Sequence, residues 1–441
     1  MADETRDVQG IDWRRTLAFL EITRSFRIAI HPAGLLLCFV GLAASLGLGI
    51  LLDQIPYIGG TEIHGKRFFQ NVYDIATLTL WGNWAIPYMD GKTWEEFCVF
   101  LMAPVSAFRD YVLLIWAYWH RGGGATWFAL LYTVLTLAVW AVIGGAVTRM
   151  AAVRIAREES VPLKKAVGFS LQKWPSTVTC VLIPFGVLVL LALIVGVPTG
   201  LVLMIPYVGE WVVGLFFGLT LLVGLVLALV FVGGTFSLGL QWPTIAAEGS
   251  DSFDAISRSI SYISSRPWRY LFYTIFATVY GCLTFVFVKF LTFLTLYITH
   301  TAVGTFTWRT TGTQVLDKLT RLWDLPAHMY NIWPMPGTEA LSSDVTDSEK
   351  AASYLFMFWV WVVLGMAMAF LVSFFFTSQT VIYFLLRKVV DATDIEEVYT
   401  EESEDEDLPL EHQVAGAPAS AEQVGEKPAE EPPPPPSETA T

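Results

Sequence analysis

Six stretches of this chain, Ala33–Leu52, Thr126–Thr148, Thr177–Val197, Trp211–Phe236, Trp268–Val288 and Tyr354–Phe376, stay apolar for about the twenty residues a helix needs to cross a bilayer core. Inside lipid every backbone amide must find its partner within the segment, which confines each run to helix. The expected fold is all-α: a polytopic membrane protein of six transmembrane helices, paired as three hairpins. Composition agrees. Of 441 residues 54% are hydrophobic and 15% charged, with 17 Trp and 30 Phe, far from the soluble average.

The approach to the runs is patterned too. In SDSFDAISRSISYISSRPWRYLFY, Ser250–Tyr273, the residues Phe253, Ile256, Ile260 and Ile263 recur at helical spacing. Asp254, Arg258, Ser261 and Ser265 take the rest of that wheel. Pro267 ends the pattern, and Trp268 and Arg269 mark an interface before the fifth run begins. WRRTLAFLEITRSFRIAIHP repeats the unit before the first run, with Phe19, Ile22, Phe26 and Ala29 as its stripe. Leu163, Val167, Leu171 and Trp174, followed by Pro175, repeat it before the third. Each hairpin is therefore expected to open with an amphipathic helix. The segments IAREES and IAAEGS, ending at Ser160 and Ser250, add to the case for an internal repeat. IPYIG from Ile55 and IPYVG from Ile205 read as matching hairpin turns, which the third hairpin lacks. Small residues at Gly41, Ser45 and Gly49, and at Gly214 and Gly218, mark faces for close helix packing.

Charge sets the orientation. The loop after Thr148 carries Arg149, Arg154, Arg157, Lys164, Lys165 and Lys173. The positive-inside rule places it in the cytoplasm with both termini and the amphipathic helices, in a cell (inner) membrane. The net charge of −13 conceals a split, because 391–441 holds 16 Asp/Glu against one Lys, or −15, leaving +2 for the body. The chain then divides into a flexible N-terminus (1–12) and a first unit of amphipathic helix plus hairpin with a long external insertion (13–148). A basic loop, amphipathic helix and second hairpin follow (149–249), then a third unit with its own insertion (250–390). An acidic, Pro-rich, disordered tail (391–441) ends the chain. Residues 97–119 fit an interfacial or re-entrant helix, since Pro104 interrupts the run and Arg109-Asp110 would otherwise sit deep in lipid.

No phosphate-binding loop, nucleophile elbow or HExxH is present, and the six histidines are scattered. The four cysteines are widely spaced and read as apolar fillers. No enzyme activity, cofactor, metal or nucleic acid is expected. Two sets of charges remain. Lys289, with Arg109 and Asp110, could form a transport or lipid site inside the bundle. The simpler reading ends the fifth span at about Val288, with FLTFLTLYITH continuing it into the interface, lets Lys289 snorkel outward, and puts Arg109-Asp110 on the wet face of an interfacial helix. The acidic strip Glu401, Glu402, Glu404, Asp405, Glu406 and Asp407 is dense enough to dock a basic protein partner.

The helix-then-hairpin units, and SFDAISRS…RPWRY above all, resemble those of uncharacterised bacterial polytopic membrane proteins. They are similar to the membrane domain found beside some glycerophosphodiester phosphodiesterases. The soluble catalytic domain of those enzymes has no counterpart here, so the resemblance implies a membrane body without their activity. The function expected is that of an integral membrane protein organising membrane or partner proteins, with the lipid bilayer as first partner. The alternative is a transporter or lipid-handling protein with a site between hairpins.

Overall fold

The structure is a computed structural model that describes residues 18–55, 62, 66–75, 98, 101–306, 323 and 347–399. Met1–Val398 form one compact unit and Tyr399–Thr441 a second, of which Tyr399 alone is described. The acidic strip 401–407, the turn at 56–59 and the N-terminal 1–12 therefore lie outside the described residues.

In the first unit a 3-10 turn, Ala18–Thr23, runs into α1 (Arg24–Ala29), followed by α2 (Pro32–Asp53), the short α3 (Phe68–Asp74) and α4 (Ala103–His120). Next come α5 (Gly124–Arg157), α6 (Leu163–Gln172) and α7 (Trp174–Leu203). Last are α8 (Val208–Glu248), α9 (Ser252–Ser265), α10 (Pro267–Phe306) and α11 (Asp347–Val390). Six of them, α2, α5, α7, α8, α10 and α11, are long and apolar enough to cross a membrane, and they contain the six expected runs. The chain is an all-α polytopic membrane protein. Pro32, Pro175 and Pro267 stand in the first turns of α2, α7 and α10, where the missing N–H has no intrahelical partner to lose. The proline that ends each approach helix thus starts the next span.

Helices α5, α8 and α11 pack against one another as an inner layer. Around them α2 lies on α5 and α11, α7 on α5 and α8, and α10 on α11. Toward one end each inner helix buries a threonine completely: Thr148, Thr244 and Thr380. Each donates its hydroxyl to the carbonyl four residues back, on Gly144, Leu240 and Phe376. Each inner helix also gives way to a residue of positive φ, at Glu158, Gly249 and Ala392. The approach helices follow the same order, since α6 docks on α5, α9 on α8, and α1 on α11, the last helix of the unit. All three bury one serine, Ser170, Ser259 and Ser25. The end of the bundle they cover carries Arg24, Arg149, Arg154, Lys173, Arg258 and Arg387 and is called the basic end below.

The expected stripes do not all turn inward. Copy one buries Ile22 and Ala29, as its pattern implies. In the other two, Leu171 is 57% and Phe253 72% exposed, while Ala166, Ser170, Ala255 and Ser259 make the packed face. Small side chains let α6 and α9 approach α5 and α8 closely, which leaves the bulky stripe for a lipid interface. A second correction concerns residues 391–398, assigned to the tail from composition. Asp391 accepts a hydrogen bond from the Tyr262 hydroxyl, Glu397 offers its carbonyl to Arg387, and Val398 is buried with Ile22 and Ala152.

α4 stands upright. The Tyr111 and Tyr132 hydroxyls lie 2.9 Å apart and Thr126 donates to the Trp119 carbonyl, contacts that fix α4 antiparallel to α5 across the turn at Gly122 and Gly123. The interfacial reading of this segment is corrected. Shared apolar packing between Leu114, Tyr118, Ala125, Phe128 and Tyr132 is what holds it against α5 rather than flat on a surface.

The hairpin α7–α8 differs from the other spans. Between Lys173 and Glu248 its sole charge is Glu210, at the turn. Tyr207 adopts φ 66° there, and a Cβ on Gly209 would fall 2.0 Å from the Val202 carbonyl oxygen, so the turn needs glycine. In its most apolar stretch α7 buries 6% of its residues and α8 0%, against 28–33% for the other four spans. Gly41, Ser45 and Gly49 of α2 are buried as expected, but a Cβ on Gly214 or Gly218 would meet nothing within 4 Å. The GxxxG pair serves no packing among the described residues.

Candidate functional site

Where the inner helices meet, the packing closes. A Cβ on Gly144 of α5 would stand 2.4 Å from the Trp242 ring of α8 and 2.7 Å from Phe376 of α11. Those two rings stack at 5.4 Å. The Trp242 indole N–H donates to the Thr177 carbonyl, tying α7 to the same layer. Just beside it Gln241 donates to the Ser237 hydroxyl, and Gln379 lies so close to Gly239 that a Cβ there would be 2.6 Å from its Oε1. Three helices thus share a buried polar layer plugged by an aromatic pair. Such a plug suits a fixed scaffold better than a permeation path.

Beyond the plug, charges gather on the last turn of α8. Glu248, its side chain 9% exposed, lies 2.9 Å from Arg258 of α9 and 3.5 Å from Arg387 of α11, and accepts from the Tyr383 hydroxyl. Burial opposes charge on Arg258, but Glu248 and Asp254 outweigh it and hold the guanidinium firmly protonated. Burial, then the bond to Asp391 and the nearby Glu248, raise the Tyr262 pKa above its ordinary value, so this hydroxyl remains a donor. Cations from α5 and from the turn before α7 complete the clamp. Arg149, 7% exposed, donates to the Ala246 carbonyl at 2.7 Å and lies 4.4 Å over the Phe169 ring. Lys173 donates to the Gly249 carbonyl. These carbonyls are the ones a helix C-terminus leaves unpaired, and cations are favoured there. The sequence reading missed Glu248, Arg149 and the three threonines; the matched IAREES and IAAEGS segments, the second of which contains Glu248, were the available signal.

Lys289 is not at a helix end. α10 continues to Phe306, and Lys289 is 1% exposed, so the snorkelling reading is corrected. It lies on a buried face with Phe285, Thr292, Leu296 and His300, whose ring meets Trp323 at 5.2 Å. α4 packs against α10, with Ala107 and Phe285 in one apolar cluster. Arg109, its side chain 68% exposed, pairs with Asp110 at 2.8 Å and turns outward. Of the three residues grouped from sequence, Lys289 is buried in α10, while Arg109 and Asp110 form a partly exposed pair on α4.

Among the described residues no cluster of His, Cys, Asp and Glu could hold a metal, and Cys38, Cys98, Cys180 and Cys282 are free thiols. Comparisons with protein-family models, with characterised proteins and with solved structures give no match.

Proposed function

We propose that this chain is a non-enzymatic membrane protein that organises its surroundings, with the hairpin α7–α8 as the surface offered to lipid or to a partner's helices. The observation that carries the reading is the contrast in burial, 6% and 0% for this hairpin against 28–33% for the other spans. The clamped basic end holds the base of the hairpin rigid, as a scaffold requires. In this reading the protein lies in the cell (inner) membrane with the basic end facing the cytoplasm, and α6 and α9 rest their exposed stripes on that leaflet. The acidic strip 401–407 docks a basic protein partner there. A photo-crosslinking residue at Leu222, 61% exposed, tests the proposal in native membranes. Discrete protein adducts are expected; lipid adducts alone would remove the partner half of the reading, and purely intramolecular products would remove it all.

One observation favours a second reading. A lysine buried in a membrane bundle is costly and commonly serves transport or lipid handling. If Lys289 works in that way, Lys289→Met abolishes the transport or lipid movement measured in vesicles while leaving the fold intact. Vesicles in which wild type and variant behave alike would remove this reading.

A further inference from the structure

Four arginines of the basic end are committed. Arg24 bonds Glu21 and Glu158, Arg149 the Ala246 carbonyl, Arg258 Glu248 and Asp254, and Arg387 Glu248 and the Glu397 carbonyl. Arg154 of α5 is half-buried and has no such partner among the described residues. It lines a small, open cleft between α1, α2, α5 and α11, together with His31, Ser160, Ser373 and Thr377. Ile28, Val147 and Met150 form the apolar part of the lining. No acidic residue contributes to it.

A half-buried cation without an anion is unfavourable unless a ligand supplies the charge. Burial, then Arg154 itself, hold the His31 imidazole below its ordinary pKa of 6.5. Arg154 is the charged group that faces it. The first turn of α2, whose Gly34 also lines the cleft, adds the positive end of a helix dipole. A lining that mixes a cation and hydroxyls with apolar side chains suits a molecule that carries both an anionic and a greasy part.

We infer that this cleft binds a phosphate group between Arg154 and His31, as the headgroup of an anionic phospholipid or as a free phosphate. The site is separate from α7–α8 and from the Lys289 face, so it stands whichever function those serve. Bidentate contact with the guanidinium is the chief attraction, and His31 gains a proton when the anion enters.

The full-length protein in nanodiscs of phosphatidylcholine, with or without a minority of phosphatidylglycerol, provides the test, with retained lipid read by native mass spectrometry. Wild type is expected to keep phosphatidylglycerol selectively. Arg154→Gln should weaken retention by about tenfold or more, the scale of one charge-assisted contact. Arg157→Gln, an exposed arginine of the same helix, should not. Inorganic phosphate added to loaded discs separates the sources: displacement of the lipid points to a free anion, and its persistence to a headgroup. Equal retention by wild type and Arg154→Gln, or equal loss in Arg157→Gln, overturns the inference. Should Arg154→Gln fail to fold, the His31 ring in wild type gives a second reading by NMR. Its titration should move to higher pH in phosphatidylglycerol than in phosphatidylcholine, and an unchanged titration overturns the site.

Discussion

The two halves of α8 belong to one uninterrupted helix and live in different surroundings. From 208 to 233 the side chains Leu215, Leu222 and Leu229 are 79%, 61% and 64% exposed, and Gly214, Gly218, Gly224 and Gly233 face open space. From 234 to 248 Ser237, Leu240, Gln241 and Thr244 are wholly buried, Gly239 presses on Gln379, and Glu248 holds two arginines. Hydrophobicity falls sharply from the first half to the second. What takes its place is a set of small and polar residues that fit other helices, because in lipid an apolar side chain gains little by leaving one hydrocarbon for another. In a membrane chain, then, greasiness marks the solvent and polarity marks the core.

The comparison breaks most sharply if glycines in the two halves are exchanged for bulk. Gly144→Leu, opposite the buried half, should cost about 3 kcal/mol or more through overpacking against Trp242 and Phe376. Gly218→Leu in the exposed half should change stability by less than about 0.5 kcal/mol. Denaturant unfolding in detergent measures both, and comparable losses would erase the distinction. Arg149→Ala comes next, leaving the Ala246 carbonyl unpaired at a cost of about 1–3 kcal/mol. A similar loss on truncating Leu222 to Ala would show that the outer half is packed after all.

The basic end also sets a pH response. Because His31 has a lowered pKa when folded, the unfolded chain binds the extra proton first. Stability is therefore full above the unfolded value of about 6.5 and declines as pH falls through it toward the folded value. His31→Gln should flatten that part of the stability–pH curve.

Much of this was legible. Spans show in sequence because twenty uncharged residues have few other fates, and each proline at an approach helix marked a helix start. The direction of the stripes was not legible. Phe253 and Ile260 obey the same spacing as Ile22 and Ala29, and only the small faces Ala166-Ser170 and Ala255-Ser259 tell which side meets protein. Lys289 was misplaced for a related reason. A lysine after an apolar run looks like its end, while α10 continues through FLTFLTLYITH because Leu296 and His300 share its buried face. The clamp on Glu248 joins residues from four helices, and no local pattern announces such a meeting.

Spin labels placed singly along α8, at 215, 222, 229, 237, 240 and 244, test the central contrast most directly, read by collision with oxygen in a bilayer. High accessibility at the first three positions and protection at the last three is the expected result. Protection that alternates with helical period along the whole of α8, with no break near 233, would contradict it.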